Sequence, residues 1–220
     1  MTTPDFDRAA TKALETLIKY EVKKVPVFPR KIFEKAEGWN LVTFTEMSNT
    51  LGIDRTDIIN LFSTENHDAI TSAFVKDGKT MHIVAYNMRL PDYLIQRAVA
   101  REMGHIVLCH DGSLPEDVRL AEAQCFAYHL LCPRPLINAI QQSSTKLTVE
   151  VLGNITGCYE RCLIGMSQTP ATHVPAELNR KAKEMFSDYL DEFLDFQTFL
   201  EKNDRSMIAN FGSYMEGYEE

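Results

Sequence analysis

The chain has 220 residues, enough for one substantial domain or one domain with a smaller appendage. Its 45% hydrophobic and 25% charged content excludes wholesale disorder, and 31 acidic against 23 basic side chains give a net charge of -8 that argues against non-specific nucleic-acid binding. No apolar run suggests a membrane span, and Met1-Thr2-Thr3-Pro4-Asp5-Phe6-Asp7 lacks the charged-then-apolar layout of a signal peptide, so a cytoplasmic protein is expected.

In chain order, Phe6, Ala9, Ala10, Ala13, Leu14, Leu17 and Ile18 recur at helical spacing and predict an amphipathic helix from about Phe6 to Val22, ended by Pro26 and Pro29. A short helix is predicted over Arg30 to Ala36, a strand over Trp39 to Phe44, and a helical segment over Ser48 to Phe62, broken near Gly52. Ile70 to Val75 and Thr80 to Tyr86 flank Lys76-Asp77-Gly78-Lys79, where Asp-Gly supplies the positive φ angles of a tight hairpin turn. The five cysteines, Cys109, Cys125, Cys132, Cys158 and Cys162, are odd in number and form no Cys-x-x-Cys pair. Most of them read as small buried apolar residues, although Cys158 and Cys162 stand one helical turn apart and leave a redox or metal role open.

A helix predicted from Pro91 to near Asp111-Gly112 carries Arg101-Glu102-Met103-Gly104-His105. This is the helical zinc-protease pattern H-E-x-x-H with its first histidine replaced by arginine. In the intact motif two imidazoles bind the ion from one helix face and the glutamate deprotonates a zinc-bound water. Arg101 cannot be deprotonated and cannot be a ligand. Glu102 falls among Ile95, Ala98, Val99, Ile106 and Cys109 on an apolar arc, where an unpaired carboxylate would cost several kcal/mol, so a buried ion pair with Arg101 or Arg97 is the plain structural alternative.

Ser113-Leu114-Pro115-Glu116 reads as a capping box opening a second helix to about Cys132, halted by Pro133 and Pro135. Val118, Glu122, Cys125, Phe126 and His129 share a face of it. Lys146 to Leu152 and Cys158 to Met166 are predicted as short helices, and Pro175 to Leu200 as a long one. The apolar surface of that last helix must dock on the body or on a second copy.

Ala100-Arg101-Glu102-Met103-Gly104-His105, followed by Glu122-Ala123-Gln124-Cys125-Phe126-Ala127-Tyr128-His129-Leu130-Leu131-Cys132-Pro133, resembles the ImmA/IrrE family of intracellular metallopeptidases over Val25 to about Ile137. Family members typically read A-H-E-L-G-H in the first helix and E-A-x-x-F-A-x-x-L-L-x-P in the second, so every landmark is present except the first histidine. The resemblance implies an α+β fold with a small antiparallel sheet packed on the two motif helices and further C-terminal helices. It implies His105 and Glu122 as zinc ligands and Glu102 as general base. The expected division is a peptidase-type domain over 1–140, a helical extension over 141–203 and a flexible tail over 204–220.

With Arg101 in the motif, only two of three protein ligands remain. Either another side chain completes the site, or Arg101 replaces the ion by bridging Glu102 or Glu122. His129 and His110 are the candidates for completion. At roughly 1.5 Å of rise per residue, the Cα of His129 lies about 10.5 Å from that of Glu122. His110 is turned roughly 140° from His105, so it reaches the site only if the helix ends or unwinds there. The resemblance further implies a protein partner such as a helix-turn-helix repressor, cleaved by a zinc peptidase in the service of prophage, mobile-element or stress genes. If no metal is held, the chain is instead a catalytically inactive module that binds its partner. Neither direct nucleic-acid nor membrane contact is expected.

Overall fold

The computed structural model describes residues 2–54, 56–57, 68–143 and 147–202. They divide into two compact units, Phe28–Ala127 with the first residues of the chain, and Asp5–Val27 with Tyr128 onward. The expected tail over 204–220 lies outside the described residues. The class is α+β: ten helices and one three-stranded sheet among the described residues.

α1 (Phe6–Lys19) belongs to the second unit, and the helices and strands of the first run from α2 (Pro29–Lys35) through β1 (Trp39–Thr43) into α3 (Phe44–Leu51). α3 starts four residues before the predicted segment because Thr43 and Glu46 form a reciprocal cap. Glu46 N donates to Thr43 Oγ1 at 3.1 Å and Thr43 N donates to Glu46 Oε2 at 2.6 Å. Gly52 ends the helix at φ 64°, and most of the predicted continuation to Phe62 lies outside the described residues. β2 (Ala69–Lys76) and β3 (Lys79–Tyr86) form the expected hairpin, with Asp77 at φ 51° and Gly78 at φ 75° in its turn.

The sheet corrects the expectation of a purely antiparallel one. Its order is β1-β3-β2, and β1 runs parallel to β3. The Asp-Gly turn fixes only the direction of β3 against β2, whereas β1 reaches β3 through a long connection whose direction no local turn chemistry sets. Side chains alternate between the two faces. The cross-strand pair Ile70 and Ala85 faces Phe44 and Met47 of α3. The next pair, Thr71 and Val84, points to the opposite face, where α4 (Asp92–Val107) packs on β2 and β3.

α4 ends at Val107, short of Asp111, and α5 (Glu116–Leu131) starts later than the predicted cap. Ser113 turns its hydroxyl proton to Asp111 Oδ1, and Arg119 N donates to Pro115 O, so helical bonding begins from Pro115. Gly104 sets the approach of the two helices. A Cβ there would stand 3.1 Å from the Ala123 Cα, the Ala123 carbonyl oxygen and the Phe126 ring.

The second unit is helical. α1 is capped by Asp5, whose Oδ1 accepts from Arg8 N at 2.9 Å. α6 (Arg134–Gln142) is an addition to the predicted elements: Pro133 and Pro135 halt the helix before them, and proline at a first-turn position also opens the next one. α7 (Val149–Thr156) and α8 (Glu160–Gln168) match the two short helices in place, separated by Gly157 at φ 66°. The long predicted helix is two, α9 (Ala176–Met185) and α10 (Ser187–Lys202), joined at Phe186. Phe186, Tyr189 and Phe193 are buried, so their apolar face is covered within the chain. No helix among the described residues is long and apolar enough to cross a membrane.

Candidate functional site

The motif residues assemble into two polar networks in the first unit, each joined across secondary-structure elements. In the first, Arg101 Nε and Nη2 donate to one oxygen of Glu102, Oε1, at 3.1 and 2.9 Å. Thr71 Oγ1 of β2 donates to the other oxygen, Oε2, at 2.6 Å. Arg101 and Glu102 are each 5% exposed. Burial pushes the Glu102 carboxyl above the usual carboxylate range, opposed by the Arg101 charge and the hydrogen bonds from Thr71 and Arg101. The expected ion pair therefore exists with Arg101 as its cation; Arg97 pairs instead with Asp68 at 3.5 Å.

The second network is a relay of three side chains. His105 Nδ1 lies 2.9 Å from His110 Nδ1, and His110 Nε2 lies 2.9 Å from Glu122 Oε2. On a continuing helix His110 would point away, so its arrival depends on how α4 ends. Leu108 closes the helix, Cys109 takes a left-handed φ of 53°, and His110 N donates back to His105 O at 3.0 Å. Each link of the relay places an N–H on one side and a lone pair on the other, the order being set by the tautomers of the two rings. Burial, followed by the charges of His110, Arg101 and Arg119, brings the His105 pKa down to about 3, so its imidazole is neutral.

The donor types suit zinc, but their arrangement does not. His110 stands between His105 and Glu122 and presents one ring nitrogen to each. A single ion takes one nitrogen of a ring, at roughly 2.0 Å, so groups bonded to opposite ends of His110 share no common point. Among the described residues no group of three or more histidine, cysteine or acidic side chains converges in a way that could hold a metal. Glu102 has Oε1 held by two guanidinium nitrogens and Oε2 by the Thr71 hydroxyl, which leaves one lone pair, on Oε2, for a further proton donor. Arg101 pairs with Glu102, and His110 reaches Glu122.

Both networks border a cleft of about 610 Å³. Its floor is the sheet face at Thr71, Ala73, Thr80 and His82, and its walls come from α4, the turn after it and the start of α5. His82, edge-on to Trp39 with ring centroids 6.4 Å apart, has its pKa lowered by burial. Thr71 and Arg119 were not singled out in the sequence. The alternation of β2 places Thr71 on the face of Val84, but no spacing links it to Glu102.

His129 does not line the cleft. It belongs to the second unit, 2% exposed, with Nε2 3.3 Å from Thr172 Oγ1. Burial first, and the Arg134 charge second, lower its pKa from 6.5 to about 4. The unfolded chain thus gains this proton near pH 6.5 and the folded chain only near pH 4. The stability it contributes is complete above that window and declines as pH falls through it. Urea unfolding at stepped pH is expected to lose about 3 kcal/mol more across the window than a His129→Gln variant. Equal slopes for the two proteins would refute a buried neutral imidazole.

Comparison with protein-family models, with curated proteins and with solved structures finds no match to this chain.

Proposed function

We propose that this chain is a regulatory module of the ImmA/IrrE type whose peptidase-like cleft binds an extended segment of a protein partner without hydrolysing it. The observation that carries this reading is the His110 ring between His105 and Glu122, which links by hydrogen bonds the two groups that the resemblance assigns to an ion. The Arg101 to Glu102 pair supports it further, because the group that would act as general base is held by a cation and a hydroxyl. β2 is an edge strand of the sheet among the described residues and contributes Ala69, Ile70, Thr71 and Ala73 to the cleft. An edge strand offers backbone amides and carbonyls to an added strand, and alternate side chains of the guest then turn toward the cleft. The resemblance adds a helix-turn-helix repressor as the partner class and the cytoplasm as its location.

Metal analysis tests the reading. Protein purified without chelator is expected to carry far less than one zinc per chain, whereas an Arg101→His and His110→Ala double variant, with the motif histidine restored and the intervening ring removed, is expected to take up zinc. Stoichiometric zinc in the unaltered protein, lost on both His105→Ala and Glu122→Ala, would favour the zinc endopeptidase instead. Absence of zinc from the double variant would remove the idea that His110 stands where an ion would.

A further inference from the structure

The cleft wall carries a guanidinium outside the buried pair of Arg101 and Glu102. Arg101 is matched by Glu102. Arg119, on the α5 wall, is only partly buried as a residue, yet its Nε is shielded from solvent and meets no hydrogen-bond acceptor. A shielded guanidinium nitrogen without an acceptor forfeits a bond that water would supply in the open, so this side chain is held at a cost. Arg119 also lies close enough to His105 for its charge to act on that imidazole, in company with Arg101 and His110. The same charge acts on the Asp111 carboxyl, and Glu116 lines the cleft as well. Ile106, Cys109 and Leu120 give the adjoining wall an apolar character that strengthens the field of the guanidinium. Of the neighbouring acids, Asp111 already accepts from Ser113 N at 2.8 Å.

We infer that the cleft selects a carboxylate on the bound protein segment, received by Arg119, so that the partner sequence carries an acid at one fixed position. The inference rests on the binding-module reading and adds to it the chemistry that is recognised. A guanidinium fork pairs with a carboxylate through parallel hydrogen bonds, and the terminal nitrogens of Arg119 offer that fork to a guest in the cleft.

The test is a displayed library of random 12-residue peptides selected on the unaltered protein, followed by binding measurements on synthetic copies. Selected peptides are expected to share one Asp or Glu, and their Asn or Gln analogues to bind at least about tenfold more weakly, as befits a hydrogen bond to a charged group. Arg119→Gln should abolish that difference, and Arg119→Glu should turn the preference toward Lys or Arg. C-terminally amidated copies separate the two carboxylate sources: retained affinity assigns a side chain, and lost affinity assigns the chain terminus. Peptides that are displaced by filling the cleft with Ala73→Trp, yet show no acid preference or keep it in Arg119→Gln, overturn this inference and leave the binding reading standing. No cleft-dependent peptide at all overturns both.

Discussion

Arg101→Ala is expected to destabilise the first unit by about 3–5 kcal/mol, the cost of leaving a buried charge without its partner. Both members of the pair are 5% exposed, and two guanidinium nitrogens converge on one carboxylate oxygen. Without the guanidinium, Glu102 keeps only the Thr71 hydroxyl, and burial drives it to bind a proton instead of holding a charge. The pair itself is not a large source of stability, because desolvating two charges offsets most of their attraction. An Arg101→Met and Glu102→Gln double variant, close in volume and free of charge, is therefore expected to recover most of the loss. Urea unfolding followed through Trp39, the chain's single tryptophan and a member of the first unit, measures both. A loss below about 1 kcal/mol in Arg101→Ala would mean the pair behaves as a solvated surface pair.

Gly104→Leu is expected to cost about 3 kcal/mol or more by the same measurement, and to separate His110 from Glu122. In an isolated helix, replacing glycine with alanine gains up to about 1 kcal/mol. Here a Cβ meets the Cα and carbonyl oxygen of Ala123 at 3.1 Å, and backbone cannot turn aside as a side-chain tip can. α5 must therefore move away, and Glu122, adjacent to Ala123, moves with it. Gly104→Ala should fall between the unaltered protein and Gly104→Leu. A neutral or stabilising Gly104→Leu would refute the close crossing of the two helices.

Much of this architecture was legible where one local rule governs. The hairpin followed from Asp77-Gly78, because few residue pairs accept two positive φ angles in succession. α4 and α5 followed from periodicity, and Glu102 on an apolar arc already required a partner. The parallel β1 was not legible, since a strand's direction in a sheet is set by pairing at long range. The cap between Thr43 and Glu46 is a readable Thr-x-x-Glu spacing, and it competes with the apolar pattern that predicts a helix from Ser48. His110 was named as a candidate with the condition that the helix end before it. The sequence gives no sign that Cys109 adopts a left-handed φ, a conformation that costs a non-glycine residue roughly 1–2 kcal/mol. Thr71 joins Glu102 only through the packing of α4 on the sheet, which periodicity within either element does not report.

The turn at Cys109 also bears on the order of assembly. His105 and His110 are five residues apart, and the backbone bond between them closes within the same turn. Contacts so short in sequence lose little chain entropy on closing and form early, whereas Glu122 is twelve residues from His110 and Thr71 is thirty-one from Glu102. The imidazole pair is thus a local product of the end of α4, ready before the sheet and α5 arrive. Glu122 and Thr71 then act as clasps that report the completed fold, and amide exchange at His110 should slow ahead of protection in β2 during refolding.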